Sequence, residues 1–245
     1  MMRRVLLSLC VIGLIWGVCA TPTASAQQSI NVFVGGFVPH GFNDRGTDDV
    51  LYQDVQSPTN LNFSFRDFNG PTAGVEYLVG LSDLFDAGLG VGIYSRSSTA
   101  NNLLYVNSDG SEIISQLGLR VVPITATFRY LPLGHHDAFV PYIGAGVGIF
   151  NWRYTESGNF AGTPDSQGNV NIVNGSFSGS GTAVGPVILG GVRFPVGHKG
   201  SGFGFEIKYQ NAQGNLPSDQ GFAGTKIDLG GFNYLFTINI GLSNR

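Results

Sequence analysis

The chain has 245 residues, 12% charged and 12% aromatic, with 37 glycines and a formal net charge of −3. A slight acidic excess with no basic cluster gives no reason to expect nucleic acid as a partner. So little charge beside so much glycine, at a positive mean hydropathy, is odd for a soluble domain.

Arg3 and Arg4 precede an apolar run from Val5 to Ala20 and then Ala24-Ser25-Ala26. That is the layout of a secretory signal peptide with an A-x-A cleavage site, and the run is short for a spanning helix. Residues 1–26 are therefore expected to be removed, leaving 27–245 as a single domain. Cys10 and Cys19 fall inside the removed segment, and neither follows the small residue that a lipoprotein site needs. The mature chain should then carry no disulfide.

No later run is long enough for a transmembrane helix, so any membrane crossing must use strands. The first strand is expected from Ile30 to Val38, with Ile30, Val32 and Val34 on one face and Asn31, Phe33 and Gly35 on the other. A polar stretch from Pro39 to Asp67 has no sustained period and reads as a long loop. The second strand, about Thr72 to Val79, sets Ala73, Val75, Tyr77 and Val79 against Gly74 and Glu76. A short turn at Ser82-Asp83 leads to the third, about Ala87 to Arg96, where Leu89, Val91 and Ile93 face away from a row of glycines and Tyr94.

A second polar loop is expected from about Ser97 to Glu112. The fourth strand, Leu117 to Leu131, presents Val122, Ile124, Ala126, Phe128 and Tyr130 opposite Thr125, Thr127 and Arg129, with a bulge expected at Pro123. After the turn Pro132 to Asp137 comes the fifth strand, Ala138 to Trp152. The longest loop, about Tyr154 to Thr182, contains no apolar run that would be buried. The sixth strand, Val184 to Val196, carries Arg193 on its glycine-containing face. The seventh, Gly202 to Gln210, sets Phe203, Phe205, Ile207 and Tyr209 against Gly204, Glu206 and Lys208. A fourth loop precedes the last strand, Gly231 to Leu242, where Phe232, Tyr234, Phe236, Ile238 and Ile240 share one face.

The connections alternate long and short, as in an all-β, eight-stranded antiparallel up-and-down transmembrane barrel with long outer loops and short periplasmic turns. Three segments carry a family resemblance: Pro141-Tyr142-Ile143-Gly144-Ala145-Gly146-Val147-Gly148, Gly202-Phe203-Gly204-Phe205-Glu206-Ile207-Lys208-Tyr209, and the aromatic-alternating last strand. The sequence resembles the small outer membrane barrels of Gram-negative bacteria, the group of the OmpA transmembrane domain and the OmpW-like proteins. The resemblance covers essentially the whole mature chain. It implies a monomer in the cell outer membrane, in contact with lipid and lipopolysaccharide, delivered by periplasmic chaperones and the barrel insertion machinery. Such chains often end on an aromatic residue, whereas this one continues past Leu242 with Ser243-Asn244-Arg245.

Alternation alone does not separate this barrel from a soluble lipocalin-like carrier. The polar faces do, because they carry too few charges to meet water. The lipid-facing and girdle residues are then Tyr77, Phe128, Tyr130, Phe194, Phe203, Phe205, Tyr209, Phe232, Tyr234 and Phe236, with Phe139 near the short turns and Tyr94 and Trp152 near the long loops. Glu76, Arg129, Arg193, Glu206 and Lys208 would form a polar network in the lumen.

Catalysis is not expected. His40 with Ser108, Asp109 and Ser111 offers the residue types of a lipid-modifying hydrolase, but Asn107-Ser108-Asp109-Gly110 is ordinary turn chemistry. No metal or cofactor is expected either. His135, His136 and His198 lie in turns, and Asp44, Asp48 and Asp49 lack calcium-site spacing. The function expected is structural, adhesive or surface-interacting through the outer loops. The alternative is a narrow conduit for small solutes, apolar ones included.

Overall fold

The computed structural model describes residues 27–107, 109–135, 137–162, 166–167, 170–196 and 201–242. The expected signal segment, residues 1–26, lies outside the described residues. Eight long strands follow in order: β1 (Gln28–Pro39), β2 (Gly70–Ser82), β3 (Phe85–Val106), β4 (Glu112–Tyr130), β5 (Val140–Ala161), β6 (Ile172–Pro195), β7 (Gly202–Gln210) and β8 (Gly231–Gly241). Each pairs antiparallel with the next. Strand β1 then pairs with β8, from Ser29 opposite Gly241 to Pro39 opposite Gly231, and this closes the ring. Within the ring, closure leaves no strand edge unpaired, which is the condition hydrocarbon imposes on a backbone that spans it.

Which face meets lipid follows from the pleat. On β8, Tyr234 is 52% exposed and Phe236 38%, while the intervening Leu235 and Thr237 are buried. Phe205 is likewise exposed, and Glu206 and Arg193 point inward. A lipocalin-like barrel would show the reverse.

Strands β3 to β6 are far longer than a bilayer needs. Strand β5 has 22 residues and β6 has 24, about twice the 9 to 11 residues of a spanning strand. Their outward faces mark where lipid ends. On β3, Leu89, Val91 and Ile93 give way to Ser95 and Ser97; on β5, Ile143, Val147 and Ile149 give way to Asn151 and Arg153. The polar residues stand level with one another: Ser95 pairs with Arg120, Arg120 with Arg153, and Asn151 with Thr182.

The inner face changes in the opposite sense at the same level. Below it the interior holds Asn31, Glu76, Thr127, Arg129 and Lys208; above it come Tyr94, Leu117, Leu119, Phe150, Trp152 and Tyr154. The chain is thus a membrane barrel in its lower part and, continuous with it, a water-facing four-stranded extension of β3 to β6 whose inner face packs on an apolar core.

This inversion corrects several expectations. Tyr94 and Trp152 are 3% and 4% exposed and belong to the inner core, not to a lipid girdle. The expected loops at 97–112 and 154–182 are largely strand, since β3 runs to Val106, β5 to Ala161, and β6 begins at Ile172. Pro123 makes no bulge: Val91 opposite Ile124 and Tyr94 opposite Val121 keep one register, and only the pairs between them are missing.

The stretch after β1 is also ordered. It folds into a 3-10 turn (Phe42–Asp44), a short helix α1 (Val50–Asp54) and a second 3-10 turn (Phe65–Phe68). Asp49 caps α1 by accepting from the Tyr52 amide at 3.1 Å. Ser64 and Asp67 form a reciprocal capping box on the second 3-10 turn. These caps aim Val50, Leu51 and Phe68 into the barrel mouth, where all three are essentially fully buried beside Leu61, Phe150, Trp152 and Tyr154. The Tyr94 hydroxyl donates to the Phe68 carbonyl. The last outer loop locks onto this cap, because Lys226–Asp228 pairs with Gln213–Asn215 and bridges to Asp49.

Candidate functional site

The lower lumen is filled by charge. Arg129, on β4, reaches across to two acids: its Nη2 lies 2.5 Å from Glu76 Oε2 and 2.9 Å from Glu206 Oε2. Lys208 Nζ stands 3.2 Å from Glu206 Oε1, and the Tyr142 hydroxyl donates to Glu206 Oε2 at 3.1 Å. Asn31 and Thr127 donate to Glu76 at 3.2 and 3.1 Å. Arg129 also lies 4.8 Å over the Tyr142 ring.

Arg193 belongs to a neighbouring cluster, 3.5 Å from Asp86 Oδ2, with His135 Nε2 3.0 Å from Asp86 Oδ1. Glu76, Glu206 and Asp86 therefore balance Arg129, Lys208 and Arg193, all of them buried. Buried charges persist only when paired in this way. Two glycines make room for the long arms. A Cβ on Gly88 would come within 2.6 Å of Glu76 Oε1, and one on Gly191 within 2.6 Å of the Tyr142 hydroxyl.

On the outer surface of the barrel, Tyr77, Phe128, Tyr130, Phe203, Phe205, Phe232, Tyr234 and Phe236 are exposed, and Phe194 and Tyr209 are half-exposed. Near the short turns, Phe85 stacks on Phe128 at 5.2 Å, and Phe194 contacts both Phe139 and Phe203.

The residues considered for catalysis are not gathered into one site. His40 Nδ1 lies 3.0 Å from Asp228 Oδ2, whereas Ser111 donates to Asp109 at 2.6 Å in the β3–β4 turn. Ser108, His136 and His198 lie outside the described residues. The acidic run is occupied by cations of the chain itself. Asp49 pairs with Arg45 at 3.0 Å and Asp48 with Lys226 at 2.8 Å. Among the described residues no group of three His, Cys, Asp or Glu could hold a metal.

Above the membrane level there is a second polar feature. Asp54 ends α1 and Glu156 stands on β5; they are 1% and 5% exposed. The Tyr154 hydroxyl donates to Asp54 Oδ2 at 3.3 Å. Burial pushes the Glu156 carboxyl up to about 7. Burial, and then the Glu156 charge, raise Asp54 well above the usual carboxylate range.

A folded-state value above the unfolded one means the protonated pair stabilises the closed cap. For Glu156 that contribution is complete below the ordinary 4.5 and gone once the pH has risen through about 7. Loop cleavage by an added protease should therefore be slower at pH 5 than at pH 8, after correction for the enzyme's own pH profile. Glu156→Gln should flatten the difference, and an equally steep profile in that variant would refute the assignment.

These features define a class: an eight-stranded transmembrane barrel with a filled lumen and a capped outer chamber, in the fold of the small Gram-negative outer membrane barrels. No protein-family model matches the sequence, and a search of curated proteins returns no match. Among solved structures the chain resembles the outer membrane protein OprG from Pseudomonas aeruginosa, at 14% identity and a TM-score of 0.50, over 89% of this chain and 97% of that one. It also matches Neisserial surface protein A at 10% identity and a TM-score of 0.41, over 88% and 97%. A third is AlkL, determined in DMPC lipid bilayers, at 14% identity and a TM-score of 0.40, over 92% and 95%. At such identities the likeness is one of fold.

Sequence reasoning missed Asp86, Asp54 and Glu156. Asp86 shares the period-two face of Gly88 and Gly90, so it was readable. The other two come together only through the folding of the cap.

Proposed function

We propose that this protein is a closed, monomeric, non-enzymatic barrel of the cell outer membrane that acts at the cell surface through its outer chamber and loops. Lipid and lipopolysaccharide surround it, and the periplasmic chaperones and barrel insertion machinery deliver it. The observation that carries this reading is the filled lumen. The space bounded by Phe33, Thr72, Thr125, Lys208, Asn233 and Leu235 measures 20 Å³, room for about one water. Above it, Val50, Leu51 and Phe68 seal the mouth. A conduit would need both obstructions to move.

Purified protein in planar bilayers is expected to give no steady current above the lipid leak. Sustained conductance, lost when Arg129 or Glu206 is changed, would replace this reading with the conduit.

A further inference from the structure

Seven acids are buried among the described residues: Asp49, Asp54, Glu76, Asp86, Glu156, Glu206 and Asp228. Five of them face a basic side chain: Asp49 has Arg45, Glu76 has Arg129, Asp86 has Arg193, Glu206 has Arg129 and Lys208, and Asp228 has His40. Asp54 and Glu156 have none among the described residues. Each also keeps one buried oxygen, Asp54 Oδ1 and Glu156 Oε1, with no hydrogen-bond partner. Leaving an acceptor buried and unpaired is costly, so such pairs of atoms call for an explanation.

Asp54 and Glu156 line the same cleft, of 480 Å³, which opens beside the cap. Its walls include Leu104 and Tyr105 from β3, Phe160 from β5 and Phe177 from β6. Phe160 and Phe177 meet edge to face at 5.2 Å. The volume falls in the range of about 300 to 1,000 Å³ typical of small-molecule sites, and the lining is apolar with a few convergent polar groups.

We propose that this cleft binds a small organic cation, its ammonium group seated between Asp54 and Glu156 and its apolar body against Phe160 and Phe177. An ammonium has three donors and no acceptor, which suits two acceptor oxygens that lack donors. The aromatic walls favour the same charge. A hard divalent ion is a poorer fit, because it takes six or more oxygen ligands and this site offers two carboxylates. The inference deepens the reading of the outer chamber as the working surface and rests on it.

Binding must displace any proton the pair holds. The other titratable groups acting on the pair are Tyr154, on β5, and Asp49, held by Arg45 in the outer cap. Affinity should therefore rise with pH.

The test uses the full mature chain in phosphatidylcholine nanodiscs, with empty nanodiscs as the blank, and calorimetry with phenethylamine and its neutral counterpart 2-phenylethanol. Saturable binding of the amine and not the alcohol is expected, roughly tenfold weaker at pH 5 than at pH 8. Glu156→Gln and Asp54→Asn should each weaken it roughly tenfold as well, the loss of one charged hydrogen bond. The wild-type pH series stands on its own should either variant fail to fold. Equal binding of the alcohol, saturation by magnesium in place of the amine, or amine affinity unmoved by pH and by both substitutions would overturn the proposal. A barrel that conducts yet binds the amine in this way would instead overturn the closed-barrel reading and leave the cleft standing.

Discussion

Arg129→Leu is expected to destabilise the barrel by about 3 to 5 kcal/mol, the usual consequence of removing one partner from a buried ionic group. The substitution leaves Glu76 with only Asn31 and Thr127 as donors, and it halves the cationic support of Glu206. Apolar transfer of the leucine side chain offsets little, since the two carboxylates remain 1% and 2% exposed. Urea unfolding in lipid vesicles, read through the midpoint at constant slope, measures the effect. Adding Glu76→Gln to the same chain leaves Glu206 with Lys208 and Asp86 with Arg193, a balanced interior, and should recover more than half of the loss. A single variant within about 1 kcal/mol of wild type would mean that water reaches these groups and that the lumen is not sealed.

Much of this fold was legible because hydrocarbon imposes one rule on every strand that crosses it. Phe203, Phe205 and Ile207 alternate with Gly204, Glu206 and Lys208, and that pattern yields strand, face and order together. The rule stops where the lipid stops. Beyond Ser95 and Arg153 the outer face turns mostly polar, apart from Leu103, Val106 and Ile114 near the strand tips, and most apolar residues turn inward. Tyr94 and Trp152 then look like girdle residues near strand ends, although their parity with Gly92 and Phe150 places them inside.

The extensions of β5 and β6 read as loop for the same reason: their outward residues are mostly Asn, Arg, Ser and Thr, and the inward Tyr154, Glu156, Phe160 and Phe177 are too widely spaced among Gly and Ser to mark a strand. The cap was hidden differently. A helix of five residues is too short to show a 3.6-residue period, and only its terminal signals were available, Asp49 before Val50 and the Ser64 to Asp67 capping box. The meeting of Asp54 with Glu156 has no local signature at all, because it depends on how the cap seats in the mouth.

How firmly that cap seats sets the second large effect. Leu51 is fully buried in the mouth and lies on α1, which anchors the first outer loop to the core, so Leu51→Ala should loosen the cap by about 2 to 5 kcal/mol, the transfer loss plus the cavity left behind. Because the sheet below is held by its own ladders, the loss should fall on local opening and not on global unfolding. Amide hydrogen exchange of residues 50–54 is then expected to accelerate roughly 30-fold or more, while amides of β7 and β8 keep their protection. A uniform acceleration through β8 would show instead that cap and barrel open as one unit. Since Asp54 rides on the same helix, the substitution should also carry one wall of the cleft away from Glu156. Phenethylamine added at saturation should slow the exchange of residues 50–54 in the wild type far more than in the variant, which ties the mobility of the outer loop to occupancy of the chamber beneath it.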